Sequence, residues 1–158
     1  MRDHTYRTTI SWAGSTGAGI RHFSRTHRAV VDPGIELEVT ADPHFRGDPD
    51  RLNPEQLLVL AASSCQLLSF LGAAARAGVD VLSYEDQALG TMPVTRGPMS
   101  ITEIRLRPRI GVAAGTDHEQ VRELVEEGHR NCFIANSLNS RIEIDPSIET
   151  AADDGREG

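Results

Sequence analysis

Two cysteines, Cys65 and Cys132, are the only thiols in 158 residues, and no other side chains in the chain are as well suited to redox or nucleophilic chemistry. Each falls on an apolar, core-facing position of a stretch that reads as helix. Either can therefore be an inert small hydrophobe, since free cysteine is commonly buried. The other reading is a redox pair, which requires the two helices to bring the sulfurs together. A reactive thiol also needs a cation, because an ordinary pKa of about 8.5 leaves little thiolate at neutral pH. Cys65 lies about three turns inside its helix, where the N-terminal dipole helps it little. An arginine is the expected source of the charge. Arg21, Arg25, Arg28, Arg46 and Arg51 are the candidates upstream, and each taken singly can equally be a solvated surface charge.

Glu55 has two readings as well. It complements the dipole at a helix start, or it orients the arginine. In a straight helix it stands roughly 15 Å of rise and about 80° of rotation from Cys65, so the two cannot touch directly. A long arginine, a kink or a partner subunit would have to join them. His129, three residues before Cys132, makes a Cys65/His129/Cys132 metal site conceivable, but no paired ligand motif accompanies it. The glycines at 14–19 lack the lysine and the preceding apolar strand of a phosphate loop.

The element that must position Cys65 runs from Asn53 to Gly78. Asn53 can cap it, Pro54 suits its first turn, Glu55 and Gln56 follow, and Gly78 can end it. Between them Leu57, Leu58, Leu60, Ala61, Leu67, Leu68, Phe70 and Leu71 leave almost no polar face, which predicts a helix buried on all sides. At about 24 residues it is roughly 36 Å long, so a partner subunit is expected to cover it. Strands are predicted at 4–12, 20–31 and 35–40, with a loop over 41–52. Further strands are predicted at 79–92 and 101–112. A capping box from Thr116 to Glu119 opens a second helix, with Val121, Leu124, Val125, Gly128 and Cys132 on one stripe. Arg141–Asp145 reads as a last strand. This order predicts an α+β fold in which antiparallel hairpins wrap around central helices. One domain is expected over 1–148, with an acidic disordered tail at 149–158.

A net charge of −7 argues against nucleic acid as a partner; every one of the 16 basic residues is arginine. The N-terminus lacks the apolar core of a signal peptide, and no stretch of 18 unbroken apolar residues occurs. The expectation is a cytoplasmic protein with no membrane partner, in which a permanent disulfide staple is out of place.

Asn53-Pro-Glu-Gln-Leu-Leu, with Cys65 ten residues after the glutamate, and the second cysteine in His129-Arg-Asn-Cys-Phe-Ile-Ala-Asn-Ser137 resemble the OsmC/Ohr family. That family comprises osmotically inducible protein C and the organic hydroperoxide resistance proteins. The resemblance runs from about Tyr6 to Asp145. Asp42-Pro-His-Phe-Arg-Gly-Asp48 and Cys132–Ser137 resemble an OsmC-like branch more than the hydroperoxide resistance proteins proper. It implies an intertwined homodimer with β-sheets around two central helices. It also implies a thiol-dependent peroxidase reducing alkyl or lipid hydroperoxides to alcohols, with Leu57, Leu68 and Phe70 as the apolar lining. By the resemblance, Cys65 is the peroxidatic cysteine, Cys132 the resolving one, and Glu55 holds an arginine. Counting back from Asp32-Pro-Gly34 makes that arginine Arg25, with Arg28 and Arg46 behind it. No bound cofactor is implied; the reductant would be an external dithiol of lipoyl type or a low-molecular-weight thiol. Two positions depart from the pattern. Phe133 follows the second cysteine where hydroperoxide resistance proteins have proline, and Gln66 follows the first where this branch often has histidine. The competing expectation is a non-catalytic dimeric binding protein for an apolar ligand, in which the cysteines are incidental.

Overall fold

The computed structural model describes residues 2–152. The chain forms two compact units, divided between Leu57 and Leu58.

The first unit is an antiparallel meander of β1 (Thr8–Ser11), β2 (His27–Val31) and β3 (Ile35–Val39). Val31 pairs with both Thr8 and Ile35, and Gly34, at φ +137°, turns β2 into β3. The strands are shorter than predicted because residues 12–26 are polar and glycine-rich and stay irregular. After β3 the loop is tightly specified. Asp42 caps a single 3₁₀ turn, Pro43–Phe45, by accepting the His44 N–H. Gly47 passes so close to Ala41 that a Cβ would lie 1.5 Å from its carbonyl oxygen, so no other residue fits. Asn53 then opens α1 (Pro54–Arg76). Its side chain accepts the Gln56 N–H while the Gln56 side chain accepts the Asn53 N–H, a reciprocal capping box.

The second unit packs the rest of α1 and α2 (His118–Arg130) against six short strands: β4 (Val81–Asp86), β5 (Leu89–Thr91), β6 (Glu103–Leu106), β7 (Pro108–Val112), β8 (Arg141–Ile144) and β9 (Ser147–Thr150). Gly78, at φ +71°, ends α1 in a Schellman motif, with Val79 N–H on Ala74 O and Gly78 N–H on Ala75 O. The strands form two three-stranded sheets, β4-β7-β9 and β5-β6-β8. Each long stretch, 81–91, 103–112 and 141–150, contributes one strand to each sheet and bends between them. Asp86 holds one bend, accepting the Arg107 N–H and the Ser63 hydroxyl from α1. The hairpin pairs are antiparallel as expected, whereas β8 and β9 join in parallel. Parallel neighbours need a long crossover, and α2 lies within it. The ladder also carries Glu149 and Thr150 as strand, so order extends into the segment predicted as tail. The remainder of that tail, 153–158, lies outside the described residues.

Phe70, Ala73 and Ala74 of α1 pack with Ile110 and Val112 of β7 and Val121, Leu124 and Val125 of α2. Ala62 packs with Ile104 and Leu106 of β6. The expectation of a helix buried all round is corrected in the single chain. Leu60 and Leu68 are 60% and 66% exposed, and Leu71 is also open. By length and a mean hydropathy of 1.8, α1 could cross a membrane, but its inner face is the core of this unit.

Candidate active site

Cys65 projects from the middle of α1 and is half-buried; Cys132 is buried and both thiols are free. What brings them together is a close approach of the two helices. A Cβ on Gly128 of α2 would sit 2.9 Å from the Phe70 backbone nitrogen, so a glycine there lets the helices meet backbone to backbone. Gln66, fully buried beside Cys65, donates from Nε2 to Val125 O at 3.1 Å and ties α1 to α2 at the same level.

Cys132 does not ride on the stripe of α2, as the sequence suggested. The helix ends at Arg130, and Asn131 caps it with its N–H on Glu127 O and His129 O. At the other end the cap is Asp117, which accepts the Glu119 N–H, not Thr116, whose hydroxyl turns back to Ala113 O. Cys132 therefore starts a tight turn. Its N–H bonds His129 O at 3.2 Å, its carbonyl accepts the Asn136 N–H at 3.0 Å, and its sulfur accepts the Ala135 N–H at 3.4 Å.

That turn faces Cys65. Partial burial pushes the Cys65 thiol up, but the Ile134 N–H, the Cys132 S–H, the Phe133 N–H and the Ser69 hydroxyl all reach its sulfur, and together they bring it below the ordinary cysteine value. Burial pushes Cys132 up, only partly offset by the Ala135 and Ile134 N–H groups, and the neighbouring Cys65 sulfur pushes it further the same way. The half-exposed sulfur is thus the one more readily ionised, and the buried one keeps its proton longer. Sequence reasoning missed Ser69, though its i+4 spacing from Cys65 was a signal. It could not have found the two peptide N–H groups, since backbone donors leave no mark in residue type.

The other expected site residues stand in the first unit. Arg25 is half-buried, its guanidinium donating to Phe23 O and Ile20 O and lying 3.8 Å from the centre of the Phe23 ring. Glu55 has a buried Oε2 without a partner. Among the described residues no ion pair joins Glu55 to Arg25, so the expected clasp is not formed in the single chain. Arg28 pairs with Glu36, Arg51 with Glu38 and Asp48, and Arg46 is exposed at φ +69°. The lining also needs correction. Phe70 is fully buried in the core and cannot touch a substrate, whereas Leu68 and Phe133 are exposed. Among the described residues no three His, Cys, Asp or Glu side chains stand together as a metal site, and His129 Nδ1 is buried without a partner.

Residues 47–147 match the family model described as OsmC-like protein. The chain belongs to the OsmC-like family. An OsmC-like protein of unknown function from Vibrio cholerae superposes with a TM-score of 0.82 at 28% identity, over 92% of this chain and all of that one. An organic hydroperoxide resistance protein from Elizabethkingia anophelis superposes with a TM-score of 0.70 at 21% identity, over 95% of this chain and 99% of that one. The uncharacterized protein YmaD of Bacillus subtilis is 19% identical over 148 residues, covering 91% of this chain and 93% of its own. OsmC-like membership accounts for the α+β architecture.

Proposed function

We propose that this OsmC-like protein is a cysteine peroxidase that reduces alkyl or lipid hydroperoxides to alcohols. The observation that supports it most is the asymmetry of the pair: a half-exposed Cys65 held towards the thiolate, hydrogen-bonded to a buried Cys132. In this reading the Cys65 thiolate attacks the distal peroxide oxygen. The O–O bond breaks, the alkoxide leaves and takes a proton, and Cys65 becomes a sulfenic acid. Cys132 then attacks the sulfenic sulfur and water leaves, giving the Cys65–Cys132 disulfide. Two electrons from an external dithiol restore both thiols. A lipoyl-type dithiol fits a disulfide whose outer sulfur is the exposed one.

Arg25, held by Glu55, belongs to this proposal as the source of positive charge. A buried carboxylate oxygen without a partner favours a guanidinium over the neutral carbonyls that now hold Arg25. The proposal includes a homodimer, which the exposed face of Leu60, Leu68 and Leu71 supports, and a cytoplasmic site of action where thiols recycle. The Elizabethkingia neighbour's name agrees with the substrate class.

The test is rapid mixing of reduced protein with cumene hydroperoxide and, separately, hydrogen peroxide, with mass spectrometry of both cysteines. Faster consumption of the organic peroxide and a Cys65–Cys132 disulfide are expected. No advantage over free cysteine, with both thiols intact, would return the scaffold to a binding role.

A further inference from the structure

We infer that the first unit carries a binding site for a small carboxylate with an aryl body, built between Trp12 and Phe23 and headed by Arg25. A cavity of about 330 Å³ opens there, walled by Ile10, Trp12 and Phe23, with Arg25 and His27 also on its wall. That size suits a small molecule. Trp12 is 42% exposed, yet three contacts hold it. Its Nε1 donates to Ser24 O at 2.8 Å, its ring meets the Phe23 ring edge-on at 6.1 Å between centres, and a Cβ on Gly14 would lie 2.7 Å from its Cζ2. An exposed aromatic ring gains from being covered, and one already fixed loses little freedom in receiving a ligand.

Arg25 sets the charge of that ligand. Its guanidinium stacks on Phe23 and donates to the Phe23 and Ile20 carbonyls. Both are neutral, and among the described residues Arg25 has no carboxylate partner and no acidic side chain lines the cavity. Five N–H donors are more than two carbonyls use. A carboxylate would therefore meet an unpaired cation beside an apolar wall, and a charge-assisted pair is stronger than the carbonyl contacts it joins. His27 Nδ1, 2.9 Å from Arg25 O, must donate because a carbonyl only accepts, and it steadies the backbone that carries the guanidinium. The binding does not rest on the peroxidase reading. Its consequence does: an anion on Arg25 competes with Glu55 for the guanidinium and slows peroxide attack.

Trp12 is the one tryptophan of the chain, so its fluorescence reports the site directly. The native protein is titrated with hydrocinnamate and, separately, with hydrocinnamyl alcohol, the neutral analogue. Both should change the fluorescence saturably, the alcohol at about tenfold higher concentration. Arg25→Gln should weaken the acid about tenfold and leave the alcohol as in the native chain, which also shows that the cavity is intact. Where that variant does not fold, the native comparison of acid with alcohol still decides. Equal binding of the two probes overturns the inference. So does a signal that stays flat with both, as when a second copy of the chain covers the cavity. The expected titrations, in a protein that consumes no peroxide, would uphold the site and remove the peroxidase reading alone.

Discussion

Two parts of this chain carry groups able to steady a thiolate, and they are in opposite conditions. In the turn after α2 the donors are the peptide N–H groups of Ile134 and Phe133, which bring the Cys65 thiol down. In the loop before β2 the donor is the Arg25 guanidinium, already satisfied by two carbonyls of its own loop and stacked on Phe23. A peptide donor cannot be withdrawn without unfolding the turn, whereas a guanidinium changes partners by rotating its side chain. In the proposed peroxidase, the backbone donors would favour the thiolate at rest and Arg25 would be a charge recruited when a carboxylate or a substrate asks for it.

The sharpest test of that division begins with the sulfurs themselves. Cys65→Ser should abolish peroxide consumption outright. Cys132→Ser should keep the first attack fast and stop the cycle at a sulfenic acid, trapped by dimedone on Cys65. Equal loss in both variants would mean that the buried thiol takes part in the first step.

Gly128→Val breaks the comparison from below. The new side chain would meet the Phe70 backbone, and forcing the helices apart should cost about 3 kcal/mol in urea unfolding. It should also carry the turn away from Cys65 and raise the pH at which iodoacetamide reacts. A variant that is destabilised but keeps its alkylation midpoint would show that the turn finds Cys65 without help from α2.

Arg25→Ala should have a smaller effect, slowing peroxide attack at pH 7 about tenfold, the scale of one charge-assisted contact. Its alkylation midpoint should move less than that of Gly128→Val. If it moves further, the comparison is inverted and the guanidinium holds the thiolate at rest. Glu55→Ala should follow Arg25→Ala in rate.

Much of this arrangement was legible in residue types. Asn53, Pro54, Gln56 and Gly78 marked the ends of α1 because caps depend on side-chain chemistry and on glycine's freedom at positive φ, and both are local. The meeting of Cys65 and Cys132 was only a possibility at that level, since it depends on Gly128 and on where α2 stops. The sequence stripe carried Cys132 onto the helix by spacing alone. The helix ends earlier, and the cysteine turns inward from the cap. Phe70 was misread for a related reason. Apolar periodicity says that a residue is hidden, not whether protein or substrate hides it. β9 was lost because parallel pairing across a long crossover has no local signature. The Phe133 and Ile134 donors were out of reach of any pattern.

The smallest expected effect is in stability against pH, and its sign follows from the two thiols. In the unfolded chain both titrate near the ordinary value, about 8.5. Folded Cys65 loses its proton at lower pH, so between its folded value and about 8.5 the unfolded chain binds more protons. Stability from Cys65 therefore rises with pH through that window, is fully present above it, and is lost as pH falls through the folded value. Folded Cys132 keeps its proton longer, so its contribution is present below about 8.5 and declines as pH rises through its raised value. Urea melts of the reduced chain, taken as the difference from Cys65→Ser at each pH, should climb towards about pH 8.5. Oxidation to the disulfide should erase that slope, because neither sulfur then titrates. A flat difference in the reduced state would mean that the donors on Cys65 do no more than offset its burial, and the contrast between the turn and the Arg25 loop would lose its energetic basis.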